Sequence, residues 1–182
     1  FQLWSTEGSR LLTQITMKNS IVDKPYTFNA FTEYKVNPKS TTYDSILCAD
    51  TYGQMFIIMG SDFSWRNKLI YTYNDNTATA MTYELASNLI ACAYESSEIV
   101  IMRLKHDGKV QVLVKIDNIH KLHCLCLESM STTSSLLIAG FINGEVKEYN
   151  LNDQCELLIT IGAHLREITS LITHNNLIVT NG

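Results

Sequence analysis

Three turn residues, Gly53, Ser97 and Gly144, stand 44 and 47 positions apart, each between two apolar runs of strand length. Self-similarity at a fixed period constrains a fold more than any single residue does, because every copy must form the same structural unit. His120 and His164 mark the same period, again 44 apart, and Asn74-Asp75 holds their place one unit earlier. The run before each turn also repeats, as ILCAD, LIACA and LLIAG. Four apolar or alternating runs fill each period, bounded by Gly, Asn, Asp and Ser, and no run shows a helical spacing of apolar residues. Four strands of five to seven residues make a sheet too small to hold a core alone, so the units must cover one another.

The copy most easily read is Ser134–Gly182. LLIAGF ends at Asn143-Gly144, a pair suited to a tight hairpin because both residues tolerate positive φ. EVKEYNL alternates apolar and polar residues, Asn152-Asp153 breaks it, and CELLITI runs to Gly162-Ala163-His164. The final Asn181-Gly182 repeats the strand-then-Asn-Gly pattern. A period near 45 with four strands per period is what a β-propeller blade requires. The expected architecture is therefore all-β, a propeller of four-stranded antiparallel blades. Residues 1–182 form a single partial propeller of about four blades' worth: the last two strands of one blade (1–16), blades at 24–73, 77–116 and 119–161, and the first two strands of another (167–182). An open propeller leaves unprotected sheet edges, which predicts a larger ring continuing at both ends.

The pattern LIAGFINGEVKEYNLND…LLITIGAHLREITSL resembles the WD40 repeat family, and at lower quality the likeness covers the whole chain. The family's Gly-His pair stands here as Ala163-His164 and more weakly as Ile119-His120. Its Asp-Gly turn is Asn143-Gly144. The Trp-Asp dipeptide is replaced by Tyr149-Asn150, Met102-Arg103 and Ile58-Met59, and only Trp4-Ser5 keeps the Trp. The resemblance implies a buried hydrogen-bonded set of turn Asp, His, strand-two Ser/Thr and Trp. With Phe141 in the place of the Ser/Thr, that set is expected to be incomplete in every blade.

Composition excludes several classes. A net charge of −4 argues against binding to phosphate backbones, so no nucleic-acid partner is expected. No apolar run is long enough for a helix to span a bilayer, and no membrane partner is expected. Five cysteines without a CxxC pair all sit in apolar runs, and no N-x-Ser/Thr acceptor occurs, which points to an intracellular, cytoplasmic compartment. His120, His123, Cys124 and Cys126 have metal-ligand chemistry. On a strand, however, His123 points away from the other three, and Leu122, Cys124 and Cys126 alternate against His123, Leu125 and Leu127. No metal and no cofactor are expected. His120 and His164, like Asn143 and Gly144, read as structural turn residues rather than general bases. Asp50, Asp62 and Asp75 read as solvated turn residues, and no phosphate loop or nucleophile elbow is present, so no enzyme is expected.

Function then falls to surfaces. The loop GSDFSWRN (60–67) places Phe63, Trp65 and Arg66, residue types enriched in interface hot spots, in a polar setting and makes them candidate partner-binding residues. Trp65 capping its own blade's core is the competing reading. The loops 35–44 and 128–135 are expected on the same face, and Tyr71, Tyr73 and Lys68 form a weaker lateral patch. The expected function is a non-catalytic scaffold for protein partners in a multi-subunit complex, with a cytoskeletal or ciliary setting suggested by the resemblance. A reader of a peptide or modified peptide is the alternative, requiring an aromatic or basic cluster at the inner strands that the sequence does not reveal. A propeller enzyme or metal protein is the second alternative.

Overall fold

Leu89-Ile90-Ala91-Cys92-Ala93-Tyr94 is apolar at every position and buried at every position. A strand of this composition needs cover on both faces, since successive side chains point to opposite sides. The chain meets that need by stacking small sheets. The computed structural model describes residues 2–4, 11–14, 28–34, 45–61, 64–73, 76–105, 107–131, 134–152, 155–174 and 177–182.

Strands β1 (Gln2–Trp4) and β2 (Leu11–Gln14) pair as a two-stranded sheet. Strands β3 (Phe28–Tyr34), β4 (Ser45–Asp50), β5 (Gln54–Ser61) and β6 (Ser64–Thr72) form the first four-stranded sheet. The second contains β7 (Ala78–Glu84), β8 (Leu89–Tyr94), β9 (Glu98–Leu104) and β10 (Val110–Asp117). The third contains β11 (Leu122–Ser131), β12 (Ser134–Phe141), β13 (Glu145–Asn150) and β14 (Glu156–Gly162). Strands β15 (Ser170–His174) and β16 (Leu177–Asn181) pair as a second two-stranded sheet. All pairs are antiparallel and run in chain order, and the first strands β3, β7, β11 and β15 lie side by side. The fold is all-β, a β-propeller of four-stranded antiparallel blades with about four blades' worth of strands. The β1–β2 ladder carries a register shift at Leu3/Trp4, and the β13–β14 ladder carries the same shift at Glu148/Tyr149.

The core lies between sheets. Ile90, Cys92 and Tyr94 of β8 join Leu47, Ala49 and Met55 of the first sheet. Leu89, Ala91 and Ala93, on the other face of the same strand, join Leu125, Leu137 and Phe141 of the third. Each fully buried Leu, Ile or Phe stabilises the stack by roughly 1.5–3 kcal/mol, so neighbouring sheets hold one another in place. Every residue of β14 is exposed. Ile159 and Ile161 hold the ladder places of Val114 and Ile116, which pack against the core between the second and third sheets. Beyond β14 the next sheet has two strands among the described residues, so its outer half is not covered by them.

Several sequence expectations change. GSDFSWRN is mostly strand: Gly60 pairs with Trp65 and Ser61 with Ser64, leaving 62–63 as the connection. Likewise Glu128 pairs with Leu136 and Ser131 with Ser134, so 128–135 is a hairpin end, not a loop. In both, the backbone ladder continues where side chains turn polar, because ladder bonds do not depend on side-chain polarity. The loop 35–44 lies outside the described residues. A bulge between Leu122 and Cys124 flips the expected alternation. Leu122 therefore joins Leu125 and Leu127 in one core, while Cys124 and Cys126 face another. Tyr73 is no lateral patch. It is 4% exposed, 4.5 Å from the Tyr94 ring centroid, and Tyr71 packs on the same core, while Lys68 is exposed. Finally, Asn181 pairs with Ser170 inside a ladder, so the terminal Asn-Gly is not a copy of the Asn143-Gly144 turn.

Candidate protein-interaction surface

The turns joining second to third strands share one geometry. Gly53, Ser97 and Gly144 each adopt positive φ, at 72°, 70° and 82°. Each of these residues then offers its carbonyl to the loop leaving its own sheet. Gly53 O accepts from Tyr73 N–H (2.9 Å), Ser97 O from Asn118 N–H (3.1 Å), and Gly144 O from Ala163 and His164 N–H (3.0 and 3.1 Å). The turn is tied to the loop entering its sheet as well: Ile142 N–H donates to Lys121 O (3.1 Å) and Glu95 N–H to Thr77 O (2.9 Å). Side chains finish the turns. Asn143 Oδ1 accepts from Glu145 N–H (3.2 Å), and Asp50 Oδ1 from Tyr52 and Gln54 N–H (2.9 and 2.8 Å). Asp50 is fully buried, which corrects its reading as a solvated residue. Asp62 and Asp75 lie outside the described residues.

These bonds make the turn end a firm platform, and three large apolar side chains stand on it. Ile119 is 89% exposed, Leu165 is fully exposed, and Ile142 is more than a third exposed. They sit on the entry loop, the exit loop and the turn of one sheet, which the bonds above bring together. Their exposure differs in kind from that of β14, whose face is the packing face of a blade. Lys121 and Arg166 are exposed beside them, and His123 Nε2 lies 3.6 Å from Glu167 Oε2 with both side chains about half exposed, a contact worth little in water. Apolar atoms rimmed by charges on rigid backbone fit a protein partner. The sequence reading missed all three. Each is an apolar residue beside a turn builder, next to His120, Asn143 or His164, and that adjacency was the available signal.

The histidines differ in their surroundings. His164 Nε2 lies 2.8 Å from Thr180 Oγ1, a His–hydroxyl pair that is one part of the set expected to be incomplete. Thr180 pairs across its ladder with Leu171 as Ala139 pairs with Leu125, so Ala139 holds the equivalent place one sheet earlier. Alanine offers no hydroxyl, and half-buried His120 makes no side-chain hydrogen bond among the described residues. Tyr149, in the family's Trp position, is buried and donates its O–H to Asn118 Oδ1 (2.8 Å).

The four possible metal ligands diverge. Cys124 Sγ points to Ile168 O (3.8 Å), Cys126 Sγ lies 3.2 Å from Thr173 Oγ1, and His123 turns to Glu167. Among the described residues no three His, Cys, Asp or Glu side chains gather closely enough to hold a metal ion. Trp65 and Arg66 lie on β6 at the hairpin end, opposite the turn platform; their side chains and Phe63 are outside the described residues.

No family model and no curated protein sequence matches the chain. Solved structures do match, and they share the β-propeller fold. Saccharomyces cerevisiae Sqt1 is 13% identical with a TM-score of 0.67, covering 100% of this chain and 50% of its own. The β-propeller domain of Myceliophteria thermophila Cps50 (Swd1) is 12% identical with a TM-score of 0.65, covering 86% of this chain and 51% of its own. The computationally designed Ika8 protein is 13% identical with a TM-score of 0.64, covering 98% of this chain and 48% of its own. The chain thus spans about half the length of the solved structures it matches. Among the described residues no helix is long and apolar enough to cross a membrane.

Proposed function

We propose that this propeller is a non-catalytic, intracellular scaffold that binds protein partners within a multi-subunit assembly. The observation that carries the reading is the exposure of Ile119, Ile142 and Leu165 on backbone that hydrogen bonds hold rigid. Exposed branched apolar side chains on a firm surface gain free energy when a partner covers them, and little ordering entropy opposes it. Trp65 and Arg66, on β6 at the end opposite the turn platform, are proposed together with Phe63 as a second contact. Residues 143–150 and 163–171 also look similar to the last blades of WD repeat-containing protein fifty-four. That likeness suggests a cytoskeletal or ciliary setting.

Quantitative affinity capture, comparing wild type with an Ile119→Ser/Leu165→Ser variant, tests the reading. A reproducible set of proteins is expected to be lost from the variant while its unfolding free energy in urea stays within about 0.5 kcal/mol of wild type, as for other surface changes. Identical capture by both proteins would rule out this surface, and Trp65→Ala with Arg66→Ala tests the opposite end in the same assay.

A further inference from the structure

Each ladder between second and third strands ends on an equivalent rung: Ser45 opposite Met59, Leu89 opposite Arg103, and Leu136 opposite Asn150. The next backbone bond repeats as well, with Leu104 N–H donating to Asn88 O and Leu151 N–H to Ser135 O, both at 3.0 Å. Equivalent places then meet unlike surroundings. Met59 and Leu104 pack into the core between the first and second sheets. Between the second and third sheets, Arg103 takes the place of Met59 and half-buried Leu151 that of Leu104. Charged Arg103 does not close the gap as Met59 does. It stands exposed beside a hollow of about 250 Å³ that Ser87, Leu89, Ser135 and Leu151 also line. Both flanking sheets have all four strands, so the hollow is not the trace of an absent one.

The polar groups at the hollow are unequally satisfied. Glu84 accepts from Ala86 N–H (2.8 Å), Ser87 N–H (2.7 Å) and the Ser87 O–H, so both Glu84 and Ser87 are engaged. Arg103 makes no ion pair and no side-chain hydrogen bond among the described residues. Ser135 is only 5% exposed, and its hydroxyl makes no hydrogen bond among them either. Asn88, in the place of Ser135 one sheet earlier, has its Oδ1 occupied by the Tyr83 O–H (2.9 Å). A guanidinium fork and a buried hydroxyl are both donors, and what completes them is an acceptor with negative charge. Lys105, two residues on, is exposed and adds to the positive potential. A singly charged carboxylate fits better than a phosphate, whose second charge would be repelled by Glu84 behind Ser87.

We propose that the hollow between Arg103, Ser135, Leu89 and Leu151 is a subsite for an acidic side chain of a partner protein. Arg103 and Ser135 donate to its carboxylate, and Leu89 and Leu151 cover its methylene stem. The proposal rests on the scaffold reading. It gives the hairpin end of the blades, where Trp65 and Arg66 also lie, a preference for an acidic segment.

The test is an NMR titration of the full chain, observed at labelled Leu methyl groups and Arg Nε–H, with the blocked amides of glutamate and aspartate. Blocked glutamine amide is the neutral control, N-acetylleucine presents a chain-terminal carboxylate, and inorganic phosphate presents the other anion. At least one acidic amide is expected to give saturable shifts at Leu89, Leu151 and Arg103. Arg103→Met installs the residue that already fills the equivalent place at Met59, so it keeps the fold and is expected to weaken binding by about tenfold or more. Ser135→Ala is expected to weaken it by about threefold to tenfold. The proposal is overturned by equal binding of glutamine amide, by no saturable shift, or by undiminished binding to Arg103→Met. Tighter binding of N-acetylleucine or phosphate than of both acidic amides overturns the assignment to an acidic side chain. Because the capture experiment reads Ile119 and Leu165 at the turn end, loss of this subsite with capture intact would leave the scaffold reading standing.

Discussion

Replacing Gly144 by alanine should be among the most damaging single changes available at the platform. The residue holds φ at 82°, where a Cβ costs roughly 1–2 kcal/mol. The added atom would also collide with the His164 carbonyl oxygen and lie 2.7 Å from that of Arg166, both backbone atoms with little freedom to yield. The exit loop must then move, releasing the Ala163 and His164 N–H bonds to Gly144 O, at about 1 kcal/mol each. Together these give about 3–4 kcal/mol, or a Tm lower by about 10 °C in a chain of this size. Urea unfolding followed by circular dichroism reads the loss as a lower midpoint with unchanged slope. Ser97→Gly is the matched control: at φ 70° the change relieves strain, and it should be neutral or slightly stabilising. A cost below about 1 kcal/mol for Gly144→Ala would refute the claim that this turn clamps its loop.

Two further outcomes follow from buried groups. Tyr73 donates its O–H to Glu98 Oε1 (2.7 Å) and accepts from Lys115 Nζ (3.2 Å), so Tyr73→Phe should cost about 1–2 kcal/mol at neutral pH. Tyr73's hydrogen bond, and after it that of Ser96, hold the Glu98 carboxyl below its usual range. A depressed folded value stabilises above the unfolded carboxyl value near about 4.3, and that part is lost as pH falls through the lower folded value. The gap between wild type and Tyr73→Phe in urea midpoint should therefore shrink on acidification, and an equal gap at acid and neutral pH would contradict the linkage. Burial pushes the Cys48 and Cys92 thiols up to about 12, so at mildly alkaline pH both should resist an aromatic disulfide reagent until the chain unfolds. Rapid release of all five thiols would show that β4 and β8 are not buried on both faces.

Where composition and backbone agree, the sequence reading was close to the structure. LIACAY is apolar throughout and becomes β8 with both faces covered. Where they part, it erred for identifiable reasons. SMSTTSS and GSDFSWRN are polar, yet Gly60–Trp65, Ser61–Ser64, Ser129–Ser135 and Ser131–Ser134 continue the ladders, because backbone bonds do not depend on side-chain polarity. The bulge at Leu122/Cys124 leaves no mark in the residues themselves, and it alone decides which leucines and cysteines share a face.

The candidate surfaces were less legible. Ile119, Ile142 and Leu165 look in the sequence like any apolar residue of a strand end. The recurrence of Gly53, Ser97 and Gly144 between strand-length apolar runs is enough to call for repeated small antiparallel sheets, since a pattern at a fixed interval dictates the same local backbone in each copy. Only the tertiary structure decides which side chains the next sheet covers and that Thr180 rather than a residue of β12 meets His164. These outcomes depend on contacts between residues of different strands and sheets, whose register a local pattern does not encode.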